Sequence, residues 1–94
     1  MFCVYIIYSE KLNRYYVGTT DDFETRLFEH NIGLHKDSFT TRGIPWVKYL
    51  IIENLSSNQA YKIERYIKRM KSKVYIENLS KDYEAILRLI EKFK

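Results

Sequence analysis

Five side chains in this sequence could together break a phosphodiester bond. They are the phenols of Tyr5 and Tyr16, the guanidinium of Arg26, the imidazole of His30 and the carboxylate of Glu64. Such a bond yields at neutral pH when a base takes a proton from water and fixed positive charge meets the charge growing on the phosphoryl oxygens. A metal ion polarising the phosphate completes the requirement. Tyr16 is one candidate base. A free phenol has a pKa near 10, so a phenolate at pH 7 costs about 4 kcal/mol, a cost that nearby cations would lower. His30 is the rival base, because an imidazole titrates near pH 6.5, and residue types alone leave both open. Tyr5 is the candidate for orienting Tyr16. Arg26 presents a planar fork suited to two phosphate oxygens, although pairing with Glu29 or Asp22 would be an ordinary surface role. Glu64 has an ordinary reading too, an ion pair with Lys68 one helical turn on. Yet one carboxylate suffices for Mg²⁺, which keeps several waters and completes its shell with substrate phosphate.

Positioning these groups requires regular elements. Phe2 to Tyr8 is continuously apolar and rich in β-branched and aromatic residues, which predicts a strand buried on both faces. Ser9 to Asn13 is turn-prone and Arg14 to Thr19 is again strand-like, so the two strands form a hairpin. A two-residue tip at Glu10-Lys11 would set Tyr5 opposite Tyr16, and a one-residue slip would send the two phenols to opposite faces. Asp21, with Glu24 as its capping-box partner, predicts a helix to about Asn31 that Gly33 stops. Arg26 and His30 then share a stripe beside Phe23 and Leu27. A loop from His35 to Pro45 leads to a third strand, Trp46 to Glu53. Ser56 and Gln59 open a second helix whose apolar seam is Ala60, Ile63, Ile67, Met70 and Val74. Glu64 falls roughly 80° from the centre of that seam, at the border of the core. A last amphipathic helix, about residues 82–93, carries Ile86, Leu89, Ile90 and Phe93 on one side. The expected fold is α+β: a small three-stranded antiparallel sheet flanked by helices, in the order ββαβαα.

Composition narrows the partners. Ninety-four residues allow one hydrophobic core, so a single domain over 1–94 is expected. The net charge of +4 is uneven: residues 62–73 hold Lys62, Arg65, Lys68, Arg69, Lys71 and Lys73 against Glu64 alone. That concentration is the electrostatic footprint of a nucleic-acid binder. Lys36, Thr40 and Arg42 in the loop, with Lys68 and Lys71, are the candidate phosphate contacts. The single cysteine, Cys3, excludes an internal disulfide and a cysteine-rich zinc site, and it reads as a small core residue. No apolar run approaches the roughly 20 residues of a membrane span. The first residues lack a basic leader and a cleavage site, so a cytoplasmic protein is expected.

The segments Cys3-Val4-Tyr5 and Tyr16-Val17-Gly18, followed in order by Arg26, His30 and Glu64, resemble the GIY-YIG endonuclease family. Tyr5 stands for the tyrosine of GIY and Tyr16 to Gly18 for YIG. Arg26 and His30 match the helix after YIG, and Glu64 the acidic metal ligand. The resemblance runs over about residues 2–73, with Cys3-Val4 and Val17 replacing packing residues of the pattern. It implies an endonuclease that hydrolyses DNA with Mg²⁺, or Mn²⁺ in its place, with branched, nicked or flapped DNA in repair or recombination as candidate targets. Asn78 lies close to where some relatives place a phosphate-orienting asparagine. Larger relatives add DNA-recognition, helix-hairpin-helix or zinc regions, for which this chain has no room, so it resembles the small stand-alone, bacterial-type branch. Two alternatives compete: a nucleic-acid-binding module that does not cut, and a nuclease subunit whose partner protein supplies affinity. The retained catalytic set argues for cleavage, because binding alone needs no carboxylate at the border of the core.

Overall fold

The computed structural model describes residues 1–34 and 39–94. The apolar opening run forms β1 (Phe2–Ser9), and β2 (Arg14–Thr20) returns beside it. A helix, α1 (Phe23–Asn31), and a 3₁₀ turn (Phe39–Gly43) lead to β3 (Trp46–Leu55). Three helices follow: α2 (Ser57–Met70), α3 (Lys73–Lys81) and α4 (Tyr83–Lys92). The sheet is antiparallel in the order β2-β1-β3, so β1 is central. Val4, Tyr5, Ile6 and Ile7 are all fully buried, as a strand covered on both faces requires. The expected three-stranded α+β architecture is therefore the one observed. Among the described residues no helix is long and apolar enough to cross a membrane.

Alternation along β1 divides the interior in two. Val4 and Ile6 join Val17, Ile63, Ile67, Leu79 and Leu89 in the larger core under α2, α3 and α4. Tyr5 and Ile7 face the other way, against Trp46, Phe23 and Leu27 under α1. The smaller cluster holds the two candidate phenols, Tyr5 and Tyr16.

The hairpin register differs from the two-residue tip in an instructive way. Ser9 pairs with Arg14, so the connection is the four residues 10–13. Asn13 takes a left-handed conformation (φ 51°), which asparagine tolerates, and the Ser9 hydroxyl accepts the Leu12 amide at 3.1 Å. Tyr5 consequently lies opposite Gly18, and Tyr16 opposite Ile7. The offset is two residues, an even number, so both phenols still share a face.

Local signals are otherwise displaced by small steps. Asp22, not Asp21, caps α1: its carboxylate accepts the Thr25 amide at 3.2 Å and the Thr25 hydroxyl at 2.7 Å. Thr25 thus replaces Glu24 as the cap partner. Gly33 does supply the left-handed stop (φ 71°). Ser56 caps α2 as expected, accepting the Gln59 amide at 3.1 Å.

The seam of α2 ends early. Ala60, Ile63 and Ile67 are buried, but Met70 is 42% and Val74 64% exposed. Lys71 takes a left-handed conformation and Ser72 caps a new helix through the Tyr75 amide. The chain turns there, so Val74 leaves the core stripe and Ile76 and Leu79 enter it instead.

Candidate active site

Tyr5 is the innermost member of the set. Its ring lies in the α1 cluster, 5.5 Å from the Phe23 ring, and its hydroxyl is hydrogen-bonded to His30 Nε2 at 3.0 Å. Burial pushes the phenol well above its ordinary pKa; neighbouring Tyr16 adds to this and the Arg26 guanidinium opposes it. Tyr5 therefore stays neutral at physiological pH, able to orient a partner but not to act as an anionic base.

Gly18 makes that placement workable. A Cβ at this position would stand 2.5 Å from Tyr5 Cζ and would also meet the hydroxyl. The absent side chain is the space the phenol fills. Gly18→Ala should then cost about 1–3 kcal/mol as an overpacked site and displace the Tyr5 hydroxyl from His30. Chemical unfolding and a cleavage assay check both effects; wild-type values in both would mean the phenol has room elsewhere.

Tyr16 sits further out on β2, only partly buried. Its ring centroid is 6.3 Å from that of Tyr5 and 5.1 Å from that of His30, which it meets edge-on. His30 itself is only 3% exposed, in the last turn of α1. Its neighbour Asn31 ties that turn to β3: Asn31 Oδ1 accepts the Trp46 amide at 2.7 Å, and Nδ2 donates to the Trp46 carbonyl at 3.0 Å. Sequence reasoning gave Asn31 no role beyond ending the helix, because its partner is fifteen residues away. Arg26, one turn before His30, reaches the Tyr5 hydroxyl electrostatically. It also makes the ordinary pairing with Glu29, at 3.5 Å with both side chains part exposed, a contact of little worth in water.

Glu64 arrives from the opposite layer. Its Oε1 accepts the hydroxyl of Thr19 on β2, and its Oε2 pairs with Lys68 Nζ at 2.5 Å. The side chain is 17% exposed, at the border of the core as its helical angle implies. Lys68 Nζ also lies 5.9 Å from the centre of the Tyr16 ring. Because β2 is an edge strand, groups from both layers can meet around it. Tyr5, Tyr16, Arg26 and His30 come from the α1 side, and Glu64 and Lys68 from α2. Among the described residues no group of three or more His, Cys, Asp or Glu could hold a metal. A single carboxylate oriented by a hydroxyl does fit Mg²⁺, whose preference is for one or two carboxylates with water and substrate phosphate.

The candidate phosphate contacts divide. Lys68 and Lys71 line a cleft of about 420 Å³ beside Tyr16. Arg42 is exposed on the 3₁₀ turn. Thr40 is only 3% exposed and its carbonyl accepts the Trp46 indole N–H at 2.7 Å, so its side chain offers phosphate no outer surface. Asn78 is exposed on α3 and does not line the cleft. Lys36 lies outside the described residues. The basic segment is also divided: Lys68, Lys71 and Lys73 face the Tyr16 cleft, whereas Lys62, Arg65 and Arg69 line a separate depression with Tyr66 and Phe93. Helical rotation and the turn at Lys71 separate charges that are contiguous in sequence. A further cleft of about 340 Å³, bordered by Asp21, Asp22, Glu24 and Glu53, contains none of the phenol pair and would repel a polyanion.

The chain matches the family model described as the GIY-YIG catalytic domain over residues 1–80, which includes β1 through nearly all of α3. No curated protein and no solved structure matches it.

Proposed function

From the premise that this chain belongs to the GIY-YIG family, whose catalytic domains are nucleases acting on DNA, we propose that it is an Mg²⁺-dependent endonuclease with Tyr5, Tyr16, Arg26, His30 and Glu64 as its catalytic set. The observation that carries this reading is the meeting of all five around one edge strand, although they come from four separate elements.

Burial supports a division of labour. Tyr5 and His30 are sealed from solvent, whereas Tyr16 is partly open and borders the cleft. Tyr16 Oη is therefore the group we assign to take the proton from the attacking water. Tyr5 and His30, hydrogen-bonded to each other, hold the surroundings of that phenol. Arg26, part exposed, would donate to two phosphoryl oxygens as their charge grows. Mg²⁺ held by Glu64, or Mn²⁺ in its place, would polarise the scissile phosphate and stabilise the leaving oxygen. Lys68 and Lys71 supply positive charge to the flanking backbone.

Branched, nicked or flapped DNA in repair or recombination is the substrate class we propose. A small face offers few phosphate contacts, hence modest affinity at physiological salt, which also favours a partner protein. The test is incubation of the purified protein with linear, flap and four-way DNA in Mg²⁺ or in EDTA. Cleavage in Mg²⁺ alone is the expected outcome. Binding without cleavage of any substrate, in Mg²⁺ and in Mn²⁺, would make the chain a non-cutting module.

A further inference from the structure

The cleft beside Tyr16 has a chemistry that the catalytic set does not use. Arg14, Lys68, Lys71 and Lys73 stand around it, and among the described residues no carboxylate lines it. Its apolar lining is Tyr15, Tyr16 and the nearly buried Val17, Ile67 and Ile76. At about 420 Å³ it lies in the range of pockets that enclose small ligands, roughly 300–1,000 Å³.

A duplex presents a convex ridge of phosphates, which a flat basic surface meets as well as a concave one. A pocket with apolar walls beneath a rim of cations suits something else: a flat heterocycle carried on a phosphate chain. A nucleobase has a free face only when it is unpaired and unstacked, and aromatic or apolar walls then recover its stacking. Tyr16 belongs to this wall and to the catalytic set, so the base received here sits next to the bond being cut. We propose that the cleft holds the base of an unpaired nucleotide flanking the scissile phosphate. The preferred substrate is then DNA with a single-stranded segment at the cleavage point. This proposal rests on the nuclease reading and makes its substrate class narrower.

Binding in EDTA, where no cleavage is expected, isolates the cleft. The probes are a fluorescent blunt duplex, the same duplex with a short thymidine extension at the 5′ or the 3′ end, and each extension rebuilt with abasic residues. One polarity of extension should bind about tenfold tighter than the blunt duplex, the scale of one stacked base. The abasic version should lose that gain although its phosphates remain. The Arg14→Ala/Lys73→Ala double variant should lower the ratio of extended to blunt affinity, while blunt-duplex binding falls only by the loss of general positive charge; both residues are exposed, so the fold should tolerate the change. Equal affinity for blunt and extended DNA, or a gain that survives removal of the bases, overturns the proposal. Cleavage in Mg²⁺ separates the two readings. A blunt duplex cut without any gain from extensions removes the nucleotide cleft and keeps the nuclease. A base-dependent gain with no cleavage of any DNA removes the nuclease and keeps the cleft.

Discussion

Glu64→Gln should lower Mg²⁺-dependent cleavage by on the order of 10³-fold, the scale of several kcal/mol of metal-borne charge stabilisation. The substitution is close to isosteric. The amide oxygen can still accept the Thr19 hydroxyl, so the contact between α2 and β2 persists. What disappears is the charge that would hold a divalent cation. The Lys68 ion pair is lost as well, but Lys68 is half exposed and such a pair is worth at most about 1 kcal/mol. Thermal stability should therefore change little. DNA binding should hold or tighten, since one negative charge has left a surface that meets phosphate. Single-turnover cleavage and binding in EDTA measure the two effects apart. Undiminished cleavage at ordinary Mg²⁺ would move the metal site away from Glu64, whereas a parallel loss of binding and stability would make Glu64 a structural residue.

Tyr16→Phe should slow cleavage by roughly 10²- to 10⁴-fold, the range for a positioned acid–base group. The ring is retained, so its packing against His30 and Trp46 survives. Two other tyrosines serve as internal references. Tyr5→Phe removes the hydroxyl that bonds His30 inside the protein, so it should cost about 1–3 kcal/mol of stability and slow cleavage less than the Tyr16 change. Tyr8 lies on the opposite face of β1, and its hydroxyl donates to Asn13 at 2.7 Å in an exposed position. Tyr8→Phe should cleave like the wild type. Equal tolerance of all three changes would leave the tyrosines as packing residues and pass the base to His30. A Tyr5 effect larger than that of Tyr16 would place the proton transfer at the buried phenol.

The local part of this protein is legible in its sequence because it depends on neighbours within a turn or a strand. Spacing puts Arg26 and His30 on one stripe of α1, period-two alternation points Tyr8 away from Tyr5, and the angle of Glu64 sets it at the border of a seam. Family membership followed from the same residues in order. The rest needed contacts distant in sequence. The register that sets Tyr5 over Gly18 comes from a four-residue turn, and its cost is shared among Ser9, Leu12 and Asn13 rather than carried by one signal. The break at Lys71 is equally hidden, because the 3-4 spacing of apolar residues continues through Met70 and Val74. Only the packing of Ile76 and Leu79 against the sheet decides that the chain turns, and that turn parts the basic segment into two faces. The ground for proposing Tyr16 over His30 as base is likewise tertiary. Both are suitable by type, but α1, pinned to β3 by Asn31, closes His30 off from water, while the edge position of β2 leaves Tyr16 beside the cleft. Chemical identity travels with the residue; access to solvent is a property of everything packed around it.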